Sequence, residues 1–138
     1  MNALMTEAFD PRFGEAWTPS QCLGMLALPG VWFTLARIDA EPVGFALVRA
    51  VLDESELLLL AIHPRQRRKG IGRALLRSAI ADAGARGATM MHLEVRANND
   101  AVALYRNEGF RKIGERRGYY RGSGDKIFDA HTFSKMFD

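Results

Sequence analysis

Residues 56–76 read E-L-L-L-L-A-I-H-P-R-Q-R-R-K-G-I-G-R-A-L-L, and this stretch decides the fold. Glu56–Ile62 is a short, nearly continuous apolar run stopped by His63-Pro64, the pattern of a strand buried on both faces. A helix from about Gly70 to Arg86 follows. Its apolar residues Ile71, Leu75, Leu76, Ala79, Ile80 and Ala83 keep to one face of a 3.6-residue period. Gly87 stands where a C′ glycine would end it. Between strand and helix lie Arg65, Arg67, Arg68, Lys69 and Arg73, five cations in nine residues. Gly70 and Gly72 let the backbone turn sharply and approach a ligand with no Cβ in the way. The free N–H groups of the first helical turn, with the helix dipole, favour an anion there. Arg68, Lys69 and Arg73 surround that nest with positive charge. Neither G-x-x-x-x-G-K-[ST] nor G-x-G-x-x-G is present, so ATP hydrolysis and dinucleotide binding are not indicated. A solvated basic face is the plain alternative for such a charge run, and the adjoining glycines weigh against it.

Outward from this stretch the chain reads as one unit. Val31–Ile38 and Val43–Arg49 are rich in β-branched and aromatic residues, and D-A-E-P between them reads as a hairpin turn. Thr18-Pro19 reads as N-cap and first-turn proline of a helix running to about Leu28. Leu23, Leu26 and Ala27 form its expected buried stripe, with Cys22 in the same packing, and residues 2–9 read as a short helix broken at Asp10-Pro11. Downstream, Met90–Val95 reads as a strand and Asn99–Asn107 as a short helix closed by Gly109. Phe110–Glu115 and Lys126–Met136 read as further strands. A strand–helix–strand crossover set among antiparallel strands predicts a single α/β or α+β domain over residues 1–138, with a mixed sheet.

Composition narrows the class. At 138 residues, 48% hydrophobic and 25% charged, the chain is an ordinary globular protein with enough bulk for its own core. One cysteine excludes an internal disulfide framework and suits a reducing compartment. No apolar run approaches the ~18 residues of a membrane span, and the N-terminal residues lack the basic and apolar regions of an export signal. A cytoplasmic protein without a membrane partner is expected. His63, His92 and His131 have no metal-ligand spacing, so no metal is expected. Net charge is +3, with a second basic concentration at Arg111, Lys112, Arg116, Arg117 and Arg121. Both clusters suit an anionic ligand or an acidic surface such as ribosomal RNA, yet no motif for reading nucleic acid is present.

Here a resemblance becomes specific. R-R-K-G-I-G at 67–72 matches the [Q/R]-x-x-G-x-[G/A] acetyl-CoA signature of the GNAT superfamily of N-acetyltransferases. L-E-V-R-A-N-N at 93–99, A-L-Y-R-N-E-G-F at 103–110 and R-R-G-Y-Y-R at 116–121 resemble the RimI-type protein-alanine N-acetyltransferases. The likeness covers roughly Leu52 to Ala130. It implies a sheet splayed at two parallel strands, with the strand edge at Leu60, Ala61 and Ile62 pairing with the pantetheine amides of acetyl-CoA. It also implies that Arg67, Arg68, Lys69, Gly70, Ile71, Gly72 and Arg73 wrap the pyrophosphate. An asparagine after the next strand contacts the cofactor in this family. Counting back from Tyr105 favours Asn98 and counting forward from Glu94 favours Asn99; either one instead serves as a helix N-cap in the plain reading. The family opens with a strand before its first helix, whereas this chain starts at that helix. Either the strand is lacking, leaving an edge exposed or paired with another subunit, or the natural start lies upstream.

Acetyl transfer needs a neutral amine and a proton for the departing thiolate. On a strand, His92 and Glu94 share a face with Met90, while Met91, Leu93 and Val95 share the other. A carboxylate inside so apolar a strand is costly unless paired or employed. The resemblance makes Glu94 the base and Tyr105 the acid, against plain readings of a paired structural glutamate and a buried helix stripe. Tyr119 and Tyr120 fall where the family places acceptor-side tyrosines, or they are packing aromatics. An α-amine (pKa about 8) is easier to deprotonate than lysine (about 10.4) by roughly 3–3.5 kcal/mol, which suits one glutamate acting on a protein N-terminus. The expectation is acetyl transfer to such a terminus, alanine of a small-subunit ribosomal protein, by a monomer or weak dimer. A small-molecule amine as acceptor, or a non-catalytic basic module binding RNA or the ribosome, are the alternatives.

Overall fold

The protein's structure, a computed structural model, describes residues 24, 26–66, 70–121 and 126–137, apart from the side chains of Tyr120 and Arg121. Within them the elements are β1 (Val31–Ile38), β2 (Glu41–Val51), β3 (Glu54–Ile62), a 3-10 turn (Pro64–Gln66), α1 (Ile71–Ala85), β4 (Met90–Arg96), α2 (Ala101–Asn107), β5 (Arg111–Arg121) and β6 (Ile127–Met136). The six strands make one sheet in the order β1-β2-β3-β4-β6-β5. Only β3 and β4 run parallel; every other neighbour pair is antiparallel. The mixed sheet and the crossover helix are as the sequence predicts. Of the expected N-terminal helices, Gly24 and Leu26 are helical, and Ala27 lies in an exposed turn rather than on a buried stripe. Residues 2–9, Cys22 and Leu23 lie outside the described residues, as would a strand preceding them. Among the described residues the sheet begins at β1, on its edge.

Local geometry explains the elements. The β1–β2 hairpin turns on two residues, Asp39 (φ 50) and Ala40 (φ 70), so Glu41 and Pro42 belong to β2 and not to a four-residue turn. Left-handed values at both positions give the reverse twist that a two-residue hairpin needs. The strand buried on both faces is β2, where Val43 through Val48 are all buried. In β3 burial alternates instead, with Ser55, Leu57, Leu59 and Ala61 buried and the residues between them half-exposed. The leucine run conceals a β-bulge: Val48 pairs with Leu57 and Leu47 with Leu59, leaving Leu58 extra. Consequently Leu58 and Leu59 both turn to one core, while Leu57 and Leu60 turn to the other.

Those two cores lie on opposite faces of the sheet. The larger gathers Leu76, Ala79 and Ala83 of α1 against Val48, Leu57, Met91, Leu93 and Phe133, with Tyr105 and Phe110 beside them. The smaller gathers Phe45, Leu47, Leu59 and Ala61, with Leu26, Val31 and Leu35 packed on it. Burying a side chain as Phe45 is buried contributes roughly 1.5–3 kcal/mol. α1 ends at Gly87 (φ 99) as expected: the Ala88 N–H reaches the Ala83 carbonyl and the Gly87 N–H the Gly84 carbonyl, a Schellman closure.

Candidate functional site

The site begins where the parallel pair parts. β3 and β4 pair over Glu54–Leu57 and Met90–Leu93 and no further. Beyond that point, among the described residues, Leu58–Ile62 pair only with β2 and Glu94–Arg96 only with β6. The bulge at Leu58 falls at the parting, and a bulge bends the strand that carries it. Among the described residues, two stretches of strand edge that pair with no strand across the parting therefore face each other, an arrangement suited to a linear ligand bearing amides. Leu60, Ala61 and Ile62 supply one of those edges.

Past Ile62 the chain turns through Pro64–Gln66, with the Arg65 N–H donating to His63 Nδ1 at 3.2 Å. Arg67, Arg68 and Lys69 lie outside the described residues. Gly70 follows with φ 82, and no side chain of the described residues caps the helix it opens. A Cβ on Gly70 would meet nothing within 4 Å, so glycine is required there by conformation and not by crowding. The first-turn N–H groups of Ile71, Gly72 and Arg73 precede any intrahelical acceptor. Gly72 has a further reason beside the expected one. A Cβ there would press Leu104 Cδ2 at 3.2 Å, so this glycine lets α1 pack closely on α2.

On the far side of the gap stands Glu94, whose side chain is 24% exposed and lies 3.5 Å from Arg116 Nε. The Arg116 guanidinium also sits over the Tyr119 ring, 5.1 Å from its centre. Glu94, Arg116 and Tyr119 thus meet, a grouping that sequence reasoning missed because Arg116 read only as one of a run of cations. Tyr105 is elsewhere. It joins Leu93 and Val95 in the larger core, on the face of β4 opposite to Glu94. A Schellman closure of α2 fixes it there: the Phe110 N–H bonds to the Tyr105 carbonyl, the Gly109 N–H to the Arg106 carbonyl, and Phe110 meets Tyr105 edge-on at 5.9 Å. Asn99 Oδ1 accepts the Ala101 N–H at 2.8 Å and so caps α2, while Asn98 Oδ1 accepts from Arg96 Nη1. Arg96 is itself buried, and its guanidinium lies 5.5 Å from the centre of the Phe128 ring. Tyr120 lies in β5.

The electrostatics of the helix pair centre on Glu108. Arg77 donates to its carboxylate through Nε at 2.5 Å and through Nη2 at 3.2 Å. That guanidinium holds the carboxyl below its ordinary value of 4.5. The described residues hold no group of three or more His, Cys, Asp or Glu able to ligate a metal.

Comparison with known proteins bears on this geometry. The sequence model of the Acetyltransferase (GNAT) family matches residues 1–110. The chain is 39% identical over 126 residues to N-alpha-acetyltransferase RimI of Mycobacterium tuberculosis, covering 88% of this chain and 76% of that protein. It is 46% identical over 83 residues to the [Ribosomal protein bS18]-alanine N-acetyltransferase of Escherichia coli K12, covering 59% of this chain and only 56% of the relative. The crystal structure of the ribosomal-protein-S18-alanine N-acetyltransferase from Escherichia coli superposes with a TM-score of 0.89 at 29% identity, covering 99% of this chain and 85% of that one. The match spans most of the chain, and the splayed parallel pair agrees with it, so this protein belongs to the Acetyltransferase (GNAT) family and is an acetyl-CoA-dependent N-acetyltransferase.

Proposed function

We propose that the protein acetylates the α-amine of a protein N-terminus, alanine on a small-subunit ribosomal protein, with Glu94 as base and Tyr105 as acid. The observation that carries this reading is the gap itself: two open strand edges beside an uncapped helix start. The edge at Leu60, Ala61 and Ile62 takes the pantetheine amides. The pyrophosphate falls to Arg67, Arg68, Lys69, Gly70, Ile71, Gly72 and Arg73, and Asn98 or Asn99 adds a contact through its amide N–H donors. The acceptor is inferred from the relatives' names. A ribosomal acceptor and a single cysteine favour a cytoplasmic enzyme, which we take to act as a monomer or weak dimer; among the described residues no helix is long and apolar enough to cross a membrane.

A thioester seated in the gap has two sides, and Glu94 and Tyr105 belong to opposite faces of β4. The amine nitrogen attacks the acetyl carbonyl from the Glu94 side and a C–N bond forms. One proton leaves the amine for the Glu94 carboxylate. As the C–S bond breaks, the Tyr105 phenol gives its proton to the sulfur, and proton exchange through solvent resets both groups. Tyr119 and Tyr120 are assigned to binding the acceptor.

The test is steady-state kinetics with acetyl-CoA and a synthetic peptide beginning with alanine, beside spermidine. Peptide acetylation is expected and spermidine turnover is not. Glu94→Gln should lower kcat by roughly 10²–10⁴-fold and leave acetyl-CoA affinity by calorimetry unchanged. Spermidine turnover without peptide turnover would transfer the protein to small-amine chemistry. Absence of saturable acetyl-CoA binding at moderate salt would favour a basic binding module.

A further inference from the structure

The hairpin of β5 and β6 carries an irregularity beside Glu94. Arg116 pairs with Ala130 and Tyr120 with Phe128, so four steps along β5 match two along β6. The two surplus residues fall within 117–119, around Gly118, whose φ is 64 and whose N–H donates to Asp129 Oδ1 at 2.9 Å. A Cβ on Gly118 would press Ile127 Cγ2 at 3.2 Å, so conformation and space both ask for glycine. Asp129 also ties the segment to the turn just past β4, its carbonyl accepting the Ala97 N–H at 2.8 Å. In an unbroken strand, residues three apart point to opposite faces, and Tyr119 would turn away from Arg116. The bulge reverses that, and the Tyr119 ring meets the Arg116 guanidinium.

We propose that Arg116 is a positioning residue, held between the Tyr119 ring and the Glu94 carboxylate so that the carboxylate is aimed at the acceptor amine. The proposal rests on Glu94 being the base. Stability does not account for the pair: the Arg116 side chain is 62% exposed, and an ion pair so open to water adds little to folding. Arg96, the cation two residues along β4, gives its Nη1 to Asn98. Among the described residues the cation ion-paired with Glu94 is Arg116, so in this proposal the aim of Glu94 depends on Arg116, and that of Arg116 on the irregular segment that Asp129 holds through Gly118. Displacing a general base by an ångström is enough to cost much of its rate.

Four proteins test this with acetyl-CoA and the alanine-initiated peptide: Glu94→Gln, Arg116→Ala, Arg116→Lys and the double variant Glu94→Gln/Arg116→Ala. Arg116→Ala should lower kcat roughly 10- to 100-fold, with acetyl-CoA affinity and melting temperature unchanged. Arg116→Lys should recover part of the loss, since it restores the charge without the planar stacking. The double variant should be no slower than Glu94→Gln alone, because a base that is gone cannot be misaimed. Losses that multiply in the double variant, or wild-type kcat in Arg116→Ala, overturn the proposal. Wild-type kcat in Glu94→Gln overturns the assignment of the base instead, and this proposal with it, so the two failures are told apart by the single variants.

Discussion

Glu108 shows what one carboxylate does at a junction. Its oxygens hold the α1 residue Arg77, and its backbone carbonyl accepts from Lys135 Nζ of β6 at 2.6 Å, so one residue ties α1, the end of α2 and the sheet. Arg77 holds the Glu108 carboxyl below 4.5 in the folded chain. The sign follows: stabilisation from a depressed carboxylate is present above the unfolded value and is lost as pH falls through the folded one. Glu108→Gln should therefore melt below wild type at pH 7. The gap should narrow as pH drops below 4.5, which thermal denaturation across pH will show. Residues differ in how far the sequence announces them. Glu94 and Tyr105 stand out because a strand glutamate and a helix tyrosine occur in readable motifs. Arg116 does not, because its contacts depend on a bulge that no residue type marks except Gly118. Gly72 was legible as a necessary glycine, but one reason for it is a neighbouring helix, which the sequence places nowhere near it.

At the scale of elements, the bulge in β3 coincides with the opening of the sheet, and the prediction is that it causes it. Four consecutive leucines, Leu57 to Leu60, carry no polar residue to reveal which face each takes, so the strand was legible and its register was not. The phase can be tested by deletion. Leu57 and Leu60 face one core and Leu58 and Leu59 the other. Removing Leu58 leaves every remaining side chain on its present face and restores regular alternation. The shortened strand should fold, keep its circular dichroism spectrum, and run straight enough to pair with β4 beyond Leu93. A gap closed this way should weaken acetyl-CoA binding by at least roughly tenfold in calorimetry, since strand edges that pair with each other no longer pair with a ligand. Wild-type affinity in the folded deletion variant would show that the bulge does not make the site. The helices posed less difficulty: Gly87 and Gly109 end α1 and α2 as read, because a left-handed C′ residue is a local demand that a glycine answers locally.

For the whole molecule the consequence is mechanical. The strands β1–β3 and β4–β6 are two halves of a sheet joined by a ladder of only four residue pairs, with α1 packed across the join. A ligand lying in the gap completes hydrogen bonding that the protein leaves undone, and it does so across the weakest seam. At 100 times its dissociation constant, acetyl-CoA should add about 2.7 kcal/mol, or roughly 9 °C of melting temperature for a chain of 138 residues. That rise would follow from binding anywhere, so its location must be read separately. Hydrogen exchange provides the reading. Amides of Leu58–Ile62 and Glu94–Arg96 that face the gap should slow markedly with acetyl-CoA and hardly at all with adenosine 3′,5′-bisphosphate, which reaches the helix start but carries no pantetheine arm. Equal protection by the two ligands would mean that binding at the α1 terminus alone stiffens the sheet and that the parted strands take no direct part in holding the thioester.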